Sequence, residues 1–304
     1  MNSNSEIEAI QHHEKTRGYR REARLESERN TMNDSRSAKP YDQEFVNKLI
    51  EDFITSDYAP SEMLDSTSGF MPTNASKLIV TRLKTALEQN MSLALVHGPA
   101  GVGKTMSVKV FTERYAGDRR ALYVRAHPEF APSALLEELA IGLRMTRVSR
   151  FRTLIGLIRE ALERSPSVIV IDEAQLCPRA TLETVKYLAD ETGALFVLVT
   201  TDEFVSDVRR WRDIESRIGI VAGISAMDES EQAQVFAESG FSRSALRAIH
   251  ETTGGVMRDI KRLVQQVDKF LALNASKGMT RELIEPRHVV SIATKVNLSA
   301  KRRR

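Results

Sequence analysis

His97-Gly-Pro-Ala-Gly-Val-Gly-Lys-Thr105 follows the apolar run Met91-Ser-Leu-Ala-Leu-Val96, and within it Gly98 is followed by four residues and then Gly103-Lys104-Thr105. The apolar run predicts a strand, and Met106, Val108, Val110, Phe111 and Tyr115 predict a helix after it, so the glycines fall at a strand-to-helix turn. At such a turn the helix N-terminus and a nest of backbone N–H groups bind phosphate, and glycine allows both the positive φ and the close approach. The spacing therefore predicts nucleotide contacts from Gly98, Pro99, Ala100, Gly101, Val102, Gly103, Lys104, Thr105 and Met106. Lys104 is expected to reach the β- and γ-phosphates, and Thr105 to ligate Mg²⁺.

The chain of 304 residues is long enough for one large domain and a small one, and 41% hydrophobic residues suffice for a sizeable core. No apolar run approaches a membrane span, and the polar start Met1-Asn-Ser-Asn-Ser-Glu6 lacks a signal-peptide core. The single Cys177 excludes an internal disulfide, which fits a reducing compartment and predicts a cytoplasmic protein. A formal charge of +3 decides nothing about nucleic acid, so the distribution of charge has to carry that argument.

Residues 1–40 are rich in Glu, Arg, Ser and Asn and poor in apolar groups, and read as a disordered tail. Tyr41, Phe45, Leu49, Ile50 and Phe53 recur at helical spacing, so 41–72 reads as an amphipathic helix and a polar linker with Pro60, Gly69 and Pro72. A further helix is expected from about Thr73 to Gln89. Strands at 92–97, 121–125, 167–171, 194–200 and 218–221 then alternate with helices at 105–115, 133–144, 151–164, 180–190 and 203–212. That alternation predicts an α/β fold over 73–226, a parallel sheet with helices on both faces. After Asp228 only helices are expected (229–238, 242–252, 256–274, 286–295), which reads as a separate small helical domain over 227–296 before a basic tail, 297–304.

A second motif, Ser167-Val-Ile-Val-Ile-Asp172-Glu173-Ala-Gln175, is a buried strand that delivers two carboxylates at its C-terminal end, the edge where open α/β sheets bind ligands. Asp172 is expected to hold Mg²⁺ through water, and Glu173 to orient and deprotonate the water that attacks the γ-phosphate.

The phosphate loop, one intervening strand, the acidic strand and then Leu198-Val-Thr200-Thr201-Asp202 together resemble the AAA+ ATPases. The resemblance implies a P-loop parallel sheet followed by a helical lid, with ATP and Mg²⁺ as cofactors. It implies that Thr201, with Thr200 in reserve, is the polar sensor residue at the end of its strand, although a threonine there also suits a helix cap. In Asp213-Ile-Glu-Ser-Arg217-Ile218 it makes Arg217 the candidate finger for a neighbour's nucleotide. In Gly254-Gly-Val-Met-Arg258 it makes Arg258 a phosphate contact in cis. Arg209, Arg210 and Arg212 read as an ordinary solvated helix face.

Within that family, the chain is more similar to the DNA-transposition regulators of the phage Mu B, TnsC and TniB group. Val197-Leu-Val-Thr-Thr-Asp202 with Glu215-Ser-Arg-Ile218, Tyr123-Val-Arg-Ala-His127, and the compact lid with its basic tail carry the likeness, across about Phe70 to Lys295. It implies ATP-bound subunits that form a filament or ring around duplex DNA, touching its backbone with two loops, and that recruit or activate a transposase. Leu143-Arg144-Met-Thr146-Arg147-Val-Ser-Arg150-Phe-Arg152 offers one such loop, with four arginines, two hydroxyls and no acid. The other, His127-Pro-Glu129-Phe130, carries an acid where the family often has a base. The basic tail Lys301-Arg-Arg-Arg304, with Arg287 and Lys295, reads as a further contact for DNA or an acidic partner. The expectation is an oligomeric ATPase that binds duplex DNA without sequence preference and without a membrane. A helicase loader, another AAA+ ATPase acting on a protein complex, and a nucleotide-gated scaffold with little hydrolysis remain as alternatives.

Overall fold

The structure is a computed structural model that describes residues 46–48, 70–145 and 150–298. Val46–Lys48 are helical and belong to a compact unit, Met1–Asp52, that is distinct from Phe53–Arg304. The expected tail 1–40, most of the expected helix and linker 41–72, and the basic tail from Lys301 lie outside the described residues.

The larger unit begins with α1 (Asn74–Glu88), β1 (Leu93–His97), α2 (Lys104–Arg114), β2 (Arg120–Arg125), α3 (Pro132–Gly142) and α4 (Phe151–Arg164). It continues through β3 (Ser167–Asp172), a 3₁₀ turn Ala174–Leu176, α5 (Arg179–Thr192), β4 (Leu195–Thr200), α6 (Asp202–Arg210), α7 (Arg212–Glu215) and β5 (Ile218–Gly223). All pairings are parallel, in the order β2-β3-β4-β1-β5, so the β1 and β3 ends that carry the two motifs flank the end of β4.

The apolar runs explain this order. Every residue of β3 and of β4 is buried, as strands covered on both faces must be. Alternation along β4 sends Phe196 and Leu198 into one core with Phe130, Leu136 and Ile158, and Val197 and Val199 into another with Ile79, Leu83, Val108 and Phe111. The helices therefore divide between the two faces, with α1 and α2 on one and α3 to α6 on the other.

The expected helix at 203–212 is broken at Trp211 (φ −94°, ψ 75°), which separates α6 from α7 and stacks edge-on against Phe204 at 5.8 Å. The helix expected to reach residue 144 ends at Gly142, because Arg144 turns to φ 57°.

From Glu229 onward the chain is helical, with α8 (Glu229–Val235), α9 (Arg243–Thr253), α10 (Met257–Leu273) and α11 (Pro286–Lys295). Gly254 caps α9 in the left-handed region, and a Cβ on Gly255 (φ 73°) would lie 1.9 Å from the Met227 carbonyl oxygen. Met227 N–H donates to the Gly255 carbonyl at 3.1 Å, so the chain entering these helices is pinned against the start of α10. Among the described residues no helix is long and apolar enough to cross a membrane.

Candidate nucleotide site

The loop after β1 bends back on glycines with positive φ: Gly98 (154°), Gly101 (84°) and Gly103 (107°), the last being the N-cap of α2. A Cβ on Gly98 would sit 2.4 Å from the Ile224 carbonyl oxygen, and one on Gly101 would sit 2.9 Å from a Val256 methyl. Arg258 N–H donates to the Gly101 carbonyl at 3.0 Å, which ties the loop to the first turn of α10. At Gly103 a Cβ would meet nothing within 4 Å, because the loop opens there into a cleft of about 420 Å³. The free N–H groups of the first turn of α2 belong to this concavity. A cradle of this width with a helix N-terminus at its base fits a phosphate chain.

Lys104 folds back over the loop and donates to the Gly98 and Pro99 carbonyls at 2.6 and 2.9 Å. Burial lowers its pKa, opposed by Glu173, Asp172 and Asp202 and reinforced by Arg258. Thr105 Oγ1 donates to Asp172 Oδ2 at 2.8 Å, and the Tyr123 hydroxyl donates to the same oxygen. Burial first, and the Asp172 carboxylate second, push the Tyr123 phenol well above its ordinary range, so it stays a donor. The register places Arg125 opposite Asp172, so Tyr123 and Arg125 stand on the same side of β2 and face the acidic end of β3. A hydroxyl and a carboxylate oxygen 2.8 Å apart are a donor set for a hard cation. Among the described residues no cluster of three or more His, Cys, Asp or Glu could hold a metal ion, so such a cation would take its remaining ligands from phosphate and water.

Glu173 stands just past β3 in the left-handed region (φ 57°, ψ 38°), which costs a non-glycine residue about 1–2 kcal/mol. Its N–H donates to Asp172 Oδ1 at 3.0 Å, and its Oε2 accepts from Gln175 Nε2 at 2.5 Å. Gln175 Oε1 in turn accepts from Thr200 Oγ1 at 3.1 Å. Thr200 is buried at the end of β4, whereas Thr201 lines the cleft. Thr201 occupies the N-cap of α6 without a capping bond, and the Glu203 backbone N–H first and the Thr201 hydroxyl second hold the Glu203 carboxyl below its ordinary range. Asp202 accepts from His97 Nδ1 at 2.7 Å, joining the start of the phosphate loop to α6.

Seven of the expected residues with charged, hydroxyl or glycine chemistry thus line one cleft, Gly101, Gly103, Lys104, Thr105, Asp172, Glu173 and Arg258, and three more expected residues complete a set of ten, while Gly98, Pro99 and Val102 lie outside its lining. Ala100, Met106 and Thr201 line it too. Lys109, Tyr123, Arg125 and Lys261 join them without having been expected as site residues, and the exposed alternate positions of β2 were the available signal for two of these.

Arg217 lies outside the lining of the cleft, paired through Nε with Asp190 Oδ2 at 3.0 Å and half exposed. Arg144, Arg150 and Arg152 are exposed around the α3–α4 connection, while Thr146 and Arg147 lie outside the described residues. The other expected loop is shaped by Glu129 at φ 67° and by the His127 ring, edge-on to Phe130 at 5.1 Å. Cys177 is buried, and burial pushes its thiol up to about 12, which leaves it unreactive.

Residues 87–206 match the AAA domain family. Over 201 residues the chain is 27% identical to the Mu-like prophage FluMu DNA transposition protein B of Haemophilus influenzae, covering 62% of this chain and 69% of that protein. The chain carries an AAA domain and is similar to a transposition protein B. Solved AAA+ structures share its fold. The Cdc6p of Pyrobaculum aerophilum superposes with a TM-score of 0.61 at 17% identity, covering 81% of this chain and 71% of that one. The ADPNP–ADP complexes of Aeropyrum pernix ORC2 give 0.57 at 17% identity, over 80% and 71%. Aeropyrum pernix ORC1, solved in complex with DNA, gives 0.55 at 16% identity, over 80% and 68%. The glycine loop of the matched AAA domain is the floor of the cleft.

Proposed function

We propose that this AAA+ protein is an ATPase that oligomerises on duplex DNA without sequence preference and recruits or activates a transposase at the target. The convergence of Lys104, Thr105, Asp172, Glu173 and Arg258 on one cleft carries the reading. Lys104 would leave the Gly98 and Pro99 carbonyls for the β- and γ-phosphates, and Arg258, held by its own N–H against Gly101, would meet the same phosphates from the lid. Thr105 and Asp172 would hold Mg²⁺, which when bound neutralises developing charge on the phosphate oxygens. Glu173 would take the proton of the attacking water as the water oxygen bonds to the γ-phosphorus and the bond to the β-phosphate oxygen breaks. Thr201, at the mouth of β4, would meet the γ-phosphate or that water, and Arg217 would reach a neighbouring subunit's nucleotide.

The DNA part rests on the transposition relative, on the DNA complex solved for the ORC1 neighbour, and on the exposed arginines Arg144, Arg150 and Arg152. Acid-free cationic segments of this kind contact phosphates and give affinity without sequence readout. The test mixes the purified protein with duplex DNA, with and without a non-hydrolysable ATP analogue, and measures DNA retention and particle size. Large assemblies that need both DNA and analogue are expected. DNA binding indifferent to nucleotide, or no assembly at all, would overturn the reading.

A further inference from the structure

Glu173 is aimed from outside its own backbone. It follows the last residue of β3 in a left-handed conformation, so no helical or strand geometry fixes the direction of its carboxylate. Arg125 is 3.9 Å from Oε1 with its side chain 73% exposed, too far and too wet to hold it. The hydrogen bond that does reach it comes from the Gln175 amide, at 2.5 Å, from the middle of the Ala174–Leu176 turn. The other end of that amide is held as well, because its oxygen accepts from the buried Thr200 hydroxyl at 3.1 Å. The carboxylate end fixes the orientation of that amide, since a flip would set the Gln175 oxygen against the Glu173 oxygen, two acceptors face to face.

Thr200 is also placed to report on the nucleotide. It pairs in register with His97, the residue that enters the phosphate loop, and it precedes Thr201, which lines the cleft. The strand β4 lies between β1 and β3, so Gln175 spans from the exit of the acidic strand to the strand beside the phosphate loop.

We propose that Gln175 is a positioning residue for the hydrolytic reaction, aiming the Glu173 carboxylate and coupling it through Thr200 to the β4–α6 junction. This rests on the reading of the cleft as an ATPase site with Glu173 as base. Gln175 lies outside the lining of the cleft, so its effect is on the direction of the base. A misaimed base slows proton transfer while leaving the phosphate cradle intact, so kcat falls and nucleotide affinity does not.

The experiment measures steady-state hydrolysis with duplex DNA and equilibrium binding of a non-hydrolysable ATP analogue for wild type, Glu173→Gln, Gln175→Ala, Thr200→Val, Thr200→Ser and the Gln175→Ala/Thr200→Val pair. Gln175→Ala is expected to lose about tenfold to hundredfold in kcat, with analogue affinity within about twofold. Thr200→Val should fall in the same direction and Thr200→Ser, which keeps the hydroxyl, should recover the rate. The double variant should be no slower than the worse single one, because both act on one bridge. If wild type hydrolyses ATP and Glu173→Gln does not, yet Gln175→Ala keeps a rate within about twofold of wild type, the positioning role is wrong and the ATPase reading stands. If Gln175→Ala weakens analogue binding in step with the rate, the residue is structural. If wild type itself does not hydrolyse ATP, or Glu173→Gln hydrolyses as fast, the reading of the cleft falls and takes this inference with it.

Discussion

At the scale of single residues the proposed ATPase site separates holding a nucleotide from cutting it. Lys104 is the flexible cation that the loop stores on its own carbonyls, half-buried and partly desolvated before any phosphate arrives. Lys104→Ala should therefore weaken ATP by about 3 kcal/mol or more, roughly hundredfold, since it strips the cradle of a charge aimed at the phosphates. Glu173→Gln keeps the size and the reach of that side chain and removes its negative charge together with its capacity to accept a proton. Its ATP affinity should stay near wild type while turnover drops about hundredfold or more. Isothermal titration with ATP and a phosphate-release assay check the pair, and equal ATP affinity for Lys104→Ala and wild type would remove the lysine from the site. The two variants should also part on DNA, with the first failing to assemble and the second holding on.

At the scale of elements, the helical region carries a titratable cap. Glu285 N–H donates to His288 Nδ1 at 3.1 Å, so the first turn of α11 needs that nitrogen unprotonated. Burial lowers the His288 pKa from 6.5, with Arg287 pushing the same way, the Leu283 backbone and Glu285 pushing against. The folded state therefore binds fewer protons than the unfolded chain, and stability rises with pH through this window. The contribution is fully present above about 6.5 and is lost as pH falls below it toward the folded-state value. Thermal melts from pH 7.5 to 5 should show a decline that is flatter in His288→Asn, whose side-chain oxygen can accept the same bond at any pH; parallel curves would acquit the histidine. What the sequence disclosed about such elements followed periodicity. The apolar runs inside β3 and β4 announced buried parallel strands, and the glycine spacing announced the strand-to-helix turn after β1. The break at Trp211 was illegible, because charged and apolar residues keep helical spacing straight through it. Tyr123 and Gln175 were illegible as site residues for another reason. Their roles depend on the pairing of Arg125 with Asp172 and on Thr200 lying beside the acidic turn, contacts across distant parts of the chain that local spacing does not encode.

At the scale of the molecule, the proposed function turns on what meets another subunit and what meets DNA. Arg217 is tied to Asp190 by a pair in which both partners are partly exposed, an interaction worth at most about 1 kcal/mol. Releasing it costs little, so Arg217→Ala should leave the melting temperature almost unchanged while abolishing hydrolysis if the guanidinium acts across an interface. Mixing Arg217→Ala with Glu173→Gln should then restore part of the rate, since some interfaces pair an intact base with an intact arginine. No recovery in mixtures shown to co-assemble would place the arginine's role within one subunit. The proposed DNA surface answers to a different measurement. Arg150 caps α4 without a side-chain capping bond and Arg152 stands exposed in its first turn, so neither is spent on holding the helix. Each phosphate neutralised contributes about 0.9 to the slope of log affinity against log salt. Replacing Arg150 and Arg152 together by Ala should therefore flatten that slope by about 2 per subunit footprint, weaken binding equally on unrelated sequences, and leave ATP affinity intact. The titration is run in saturating non-hydrolysable analogue, so that assembly is complete for both proteins. An unchanged slope would make these arginines ordinary surface residues, and the phosphate contacts would then have to come from the His127 loop or the basic C-terminal tail.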